Sequence, residues 1–131
     1  MTEKQSTHQR GRAWEDQAAG YLQRRGWKVL ERNFRTPVGE IDLIVRRLDV
    51  LAFVEVKGRK TRKQGSPLEA VSPRKVRRVS AAAALYMARG LEKAKVYRFD
   101  VVTVGPDKGW WGSLKVRHLA NAFEADGPFT V

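Results

Sequence analysis

Two acidic residues stand where apolar neighbours make a charge costly. Asp42 follows Ile41 in GEIDLI (39–44), and Glu55 lies between Val54 and Val56 in FVEVKGR (53–59). A carboxylate in a half-buried strand needs a cationic partner, and a metal ion is one such partner. Glu55 and Lys57 are two residues apart, so on a strand they leave the same face of the sheet. If Asp42 and Glu55 sat on neighbouring strands about 5 Å apart, their repulsion would be about 3 kcal/mol at an effective dielectric near 20. A divalent cation removes that penalty. Hard carboxylate oxygens suit Mg²⁺ or Mn²⁺, with waters and substrate phosphate oxygens completing the shell. Such an ion makes water nucleophilic and stabilises charge on a scissile phosphate. Lys57 is then placed to orient that water or to neutralise developing charge.

The charge balance points to the same substrate class. The chain holds 26 Lys plus Arg against 14 Asp plus Glu, a net charge of +12, so a polyanion is the natural partner. Residues 57–78 alone carry nine basic residues and one acid, Glu69, which is +8 in one stretch directly after the acidic pair. Arg59, Lys60, Arg62, Lys63, Arg74, Lys75, Arg77 and Arg78 are the candidate phosphate contacts. A solubilising surface is the plain alternative for a basic run taken alone.

The elements that must position these residues follow from periodicity. Ala13, Trp14, Ala18, Tyr21 and Leu22 recur at helical spacing over residues 9–25, with Gly26 as the stop. Glu15 lies along the edge of that stripe, either as an acid favouring the helix dipole or as a third carboxylate reaching the site. Strands are expected over 27–34, 40–46 and 50–57. The second should place Ile41, Leu43 and Val45 on one face and Glu40, Asp42 and Ile44 on the other, while the third reads as a central strand covered on both sides. Ser72 and Pro73 start a helix as cap and first turn, and Val76, Val79, Ala83, Tyr86 and Met87 share its apolar face up to Gly90. Its first turns carry Arg74, Lys75, Arg77 and Arg78, which oppose the helix dipole, so a phosphate bound at that terminus would explain them. A fourth strand over 97–104 and a fifth over 110–119 run alongside one another. Asp100 reads as a structural acid paired with an arginine, Trp110, Trp111 and His118 as packing residues, and Phe123 as a docking residue in the tail.

One domain is expected at 131 residues: a tail over 1–8, the domain over 9–123 and a C-terminal tail over 124–131. The longest purely apolar run, residues 81–88, is far shorter than a membrane span. The polar N-terminus lacks the apolar core of a secretory signal, and the chain has no cysteine, so disulfides, thiolate zinc sites and cysteine nucleophiles are excluded. A cytoplasmic protein is the expectation.

Asp42 with Glu55, Val56 and Lys57 resembles the D…(D/E)xK core of the PD-(D/E)XK nuclease superfamily. Glu15 is similar to the extra helix acid of its Holliday-junction-resolvase branch. GEIDLI, FVEVKGR, EAV at 69–71 with Pro73 and Lys75, and RFDVV at 98–102 closely resemble the YraN-like family of bacterial proteins over residues 10–123. The resemblance implies an α/β fold with a restriction-endonuclease-like αβββαβ core, a central mixed sheet flanked by helices. It implies a site of Asp42, Glu55 and Lys57 supported by Glu15, with Asp42, Glu55 and Glu15 as ligands of Mg²⁺ or Mn²⁺. It further implies hydrolysis of DNA, branched or structured forms included, and by analogy a homodimer. Where that family tends to carry glycine just before the helix acid, this chain has Trp14. Two other readings use the same residues: a non-catalytic nucleic-acid-binding protein that retains the fold, and a structural protein whose acids pair with its arginines.

Overall fold

Alternating and helical apolar patterns sort the chain into elements that each bury one side. The computed structural model describes residues 7–59, 71–106 and 114–125, with side chains from Gly11 onward. In chain order these are α1 (Thr7–Arg24), β1 (Lys28–Thr36), β2 (Gly39–Arg47), β3 (Val50–Gly58), α2 (Pro73–Ala88), β4 (Val96–Pro106) and β5 (Leu114–Phe123). The strands form a single sheet in the order β1-β2-β3-β4-β5, antiparallel except where β3 and β4 run parallel. A parallel pair requires a crossover, and α2 supplies it. The αβββαβ order and mixed sheet expected from the sequence are therefore present, with β5 added antiparallel along β4.

A helix covers each face of the sheet. Ala18, Ala19 and Leu22 of α1 pack with Trp27, Leu43, Val45, Ala52, Val54, Val102 and Val104. On the opposite face Val79, Ala82, Ala83 and Tyr86 of α2 pack with Phe34, Ile41, Ile44, Leu51, Phe53 and Phe99. Burial from both sides explains why β3 reads as a nearly unbroken apolar run. Ala13, placed by periodicity on the apolar stripe of α1, is exposed because the helix meets the sheet with its later turns. The Ser72 hydroxyl caps α2 by accepting the Lys75 N–H at 3.2 Å, with Pro73 in the first turn. Phe123, read as a tail residue, instead ends β5 and stacks on Phe99 with ring centroids 5.0 Å apart. Trp110 and Trp111 lie outside the described residues.

Strict alternation fails at one point in β2. Leu43 and Val45 face α1 as a pair, but Ile41 packs on the α2 side rather than with them. Gly39 joins Ile41 there, since a Cβ at Gly39 would run into the carbonyl oxygen of Arg78 in α2. The face therefore changes at Asp42. In β1 the residue across from it is also irregular: Asn33 adopts a left-handed φ of 53° and falls, with Asp42, between the registered pairs Arg32–Leu43 and Phe34–Ile41. Asparagine tolerates that conformation better than most residues. The sheet thus twists locally where the candidate acid stands.

Close approach at Gly39 gives a direct test. Gly39→Ala pushes a methyl into helix backbone that cannot swing aside, and should lower stability by about 1–3 kcal/mol. Gly11→Ala, with open space around its Cβ on α1, should be neutral or stabilising. Urea denaturation of both variants checks this; an unchanged midpoint for Gly39→Ala would contradict the packing.

Candidate active site

β2 and β3 part where the two acids stand. Their ladder is registered from Arg47–Val50 to Leu43–Val54. Beyond it, the Asp42 carboxylate accepts the Val56 N–H at 2.8 Å, taking the place of a strand carbonyl. This bond aims Asp42 at β3, where its charge raises the pKa of Glu55. Glu55 is 3% exposed and leaves β3 on the α2 face. There Lys75, from the first turn of α2, places its Nζ 2.9 Å from Glu55 Oε2. The crossover accounts for the meeting, because a helix following β3 begins near the C-terminal end of that strand.

Glu15 approaches from the other layer. Its Oε1 accepts a hydrogen bond from Asn33 Nδ2 at 2.9 Å. Burial, and then the charge of Asp42, raise its pKa, while Asn33 and Arg32 oppose the rise. Trp14, next to it, turns onto β3, where a Cβ at Gly58 would fall within its indole ring. Asn33 is absent from the candidates that sequence reasoning selects. The signal it carries is an asparagine inside a strand, where that residue is depleted.

Burial dominates the electrostatics. The Glu55 carboxyl is pushed up to about 8, first by desolvation and then by Asp42, against the attraction of Lys75. Asp42 is raised by desolvation and held back by the Val56 N–H and by Lys75. For Lys75 burial acts downward, but Glu55 and Asp42 outweigh it and the net shift is upward. Glu40 is exposed, lies 3.7 Å from Arg35, and adds negative field to the group. Lys57 is exposed and lies outside the ion pairs of either acid.

The remaining candidates fall into three groups. Arg74, Arg77 and Arg78 are exposed on the opening turns of α2. Arg59 is half-buried, its N–H donating to the Val104 carbonyl at 2.8 Å. Lys60, Arg62 and Lys63 lie outside the described residues. Asp100 is wholly buried, as expected of a structural acid: it accepts from Arg98, from the Asn121 N–H and from His118 Nε2 at 2.6 Å. These partners outweigh desolvation and lower its pKa.

Among the described residues, no three acidic or histidine side chains are gathered closely enough to hold a metal ion by themselves. Mg²⁺, however, binds commonly through one or two carboxylates and completes its shell with water and phosphate. Asp42 and Glu55 fit that donor set: both are hard oxygen ligands, mutually repelling and poorly solvated. Glu15 stands on the far side of Asp42 as a more distant acid.

Fold and acid pair together define a small mixed-sheet α/β protein with a carboxylate cluster at the end of its central strand. The chain belongs to the Uncharacterised protein family UPF0102, matched over residues 14–104. A UPF0102 protein of Syntrophotalea carbinolica is 46% identical over 125 residues, covering 92% of this chain and 98% of its own. One from Syntrophomonas wolfei is 43% identical over 109 residues, covering 83% and 92%. One from Symbiobacterium thermophilum is 46% identical over 117 residues, covering 88% and 96%.

A raised carboxyl pKa links pH to stability. Folding holds a proton on Glu55 that the unfolded chain releases above its ordinary value of 4.5. Its contribution is complete below that value and is lost as pH rises through about 8. With chelator present, stability should fall between pH 5 and 8.5 by an amount on the order of a few kcal/mol. Glu55→Gln should flatten that slope in denaturant titrations. An equal slope in the variant would remove Glu55 as its source.

Proposed function

We propose that the protein is a metal-dependent nuclease that hydrolyses phosphodiester bonds of DNA, branched or otherwise structured forms included. The observation that carries this reading is the pairing of half-buried Asp42 with buried Glu55, set beside the basic opening turns of α2. Asp42 and Glu55 would hold Mg²⁺ or Mn²⁺, with Glu15 in support. A divalent ion there supplies charge neutralisation at the phosphate and lowers the pKa of water. The chain's own residues do the rest. The Val56 N–H fixes the Asp42 carboxylate, Asn33 fixes Glu15, and the twist at Asn33 and Asp42 keeps both acids at one end of the sheet. Arg74, Arg77 and Arg78 supply exposed cations for the phosphate backbone, which position nucleic acid without reading sequence. Lys57 projects from the same strand as Glu55 and is available to the reacting phosphate.

A second reading is a non-catalytic nucleic-acid-binding protein with this fold. It is favoured by Lys75, which already neutralises Glu55, and by the exposed position of Lys57.

Incubation of linear, supercoiled and four-way-junction DNA, and of RNA, with Mg²⁺ or Mn²⁺ separates the two. Wild type should cleave DNA, and Asp42→Asn or Glu55→Gln should reduce the rate by about a hundredfold or more. Cleavage unaffected by either substitution would sink the site. Replacing Arg74, Arg77 and Arg78 with alanine should weaken binding and lower the salt slope by roughly one for each phosphate no longer neutralised. Salt-sensitive binding without cleavage would favour the second reading.

A further inference from the structure

Among the described residues, Lys75 is the cation that pairs with the acids. Its Nζ stands 2.9 Å from Glu55 Oε2, and Asp42 and Glu40 also bear on it. Its backbone is pinned: the Lys75 N–H donates to Ser72 Oγ, and the Val76 N–H to the Ser72 carbonyl at 2.9 Å. The aminobutyl stem is not pinned to the same degree. The Lys75 side chain is 41% exposed against 4% for Glu55, so the lysine keeps contact with solvent that its partner carboxylate lacks. Lysine is a mobile point charge on a flexible stem, suited to such a position. Among the described residues, two carboxylates face one ammonium, and when both are ionised that leaves negative charge to attract a dication. An ammonium and a dication on the same Glu55 oxygen repel, so they exclude one another.

We infer that Lys75 is the resident cation of the Asp42–Glu55 pair and competes with a divalent ion for Glu55, a role that Lys57 of the strand motif does not share. The inference rests on the nuclease reading for the identity of its competitor, a hard divalent ion. When a dication takes Glu55, the released ammonium stays on the turn that carries Arg74, Arg77 and Arg78, where it adds to the field meeting a phosphate. Lys75 is thus a positioning residue whose partner changes with occupancy.

Calorimetric titration of the full chain with Mn²⁺ alone tests this independently of cleavage. Lys75→Met should bind Mn²⁺ about tenfold more tightly than wild type, because the competing charge is gone. Lys57→Met should match wild type, and Lys75→Arg, which keeps the charge, should stay near wild type. Lys75→Gln, which retains a hydrogen bond to Glu55, replaces Lys75→Met if circular dichroism shows the latter misfolded. Unchanged or weaker binding by the neutral variants overturns the inference, as does failure of every variant to bind Mn²⁺. Binding by Lys75→Met but not by wild type upholds it while counting against the nuclease reading. Conversely, wild-type cleavage with Mn²⁺ affinity indifferent to Lys75 leaves the nuclease reading intact and removes the inference.

Discussion

The bond from the Val56 N–H to the Asp42 carboxylate holds the candidate site together. A backbone donor on a central strand cannot be left without a partner, because burying it unpaired costs about as much as losing a hydrogen bond. Here the donor is satisfied by a side chain from the next strand, beyond the last registered pair of the β2–β3 ladder. The acid is therefore built into the sheet. Its reorientation is coupled to the twist that carries Gly39 and Ile41 to the α2 face while Leu43 and Val45 stay against α1. Glu55, one residue before Val56, is then brought into the field of Asp42 by the same strand geometry, and the mutual penalty of two poorly solvated carboxyls follows.

Asp100 shows how the same residue type behaves when the fold, rather than a ligand, satisfies it. It is as deeply buried as Glu55, yet its pKa is lowered where that of Glu55 is raised. The difference lies in the donors. Arg98, His118 and the Asn121 N–H converge on Asp100, while Glu55 has, among the described residues, one ammonium set against a second carboxylate. Asp100 is a closed network in which both carboxylate oxygens have partners. Among the described residues the Asp42–Glu55 pair has fewer donors, and acids whose pKa values are raised by burial and by one another are more often found at functional sites than in scaffolding.

Much of this is legible in the residues. An acid amid Ile41, Leu43, Val54 and Val56 is conspicuous on solvation grounds alone, and Ser72 before Pro73 announces a capped helix start. The role of Asp100 follows from its own apolar run and an adjacent arginine. Three features are hidden because they depend on register. Alternation places Ile41 with Leu43 and Val45, and only the break at Asp42 shows otherwise. Asn33 passes for an ordinary strand residue until its left-handed backbone and its bond to Glu15 are seen. Lys75 is indistinguishable from its basic neighbours in a one-dimensional charge pattern. Which of four cations on a helix turn meets an acid on the preceding strand is settled by helical phase, and a difference of one residue rotates the side chain by about 100°.

That same rotation explains how Trp14 and Glu15 divide their work. Consecutive helix residues cannot face one target, so a bulky neighbour need not block the acid. Trp14 lies where any Cβ at Gly58 would stand, fastening α1 to the far end of β3. Glu15, about a third of a turn on, is directed instead toward Asn33 and the field of Asp42. Gly58 is what makes the contact sterically open, and it closes the strand that carries Glu55 and Lys57. The indole therefore sets the height at which the helix crosses the sheet. By doing so it leaves Glu15 within the field of Asp42.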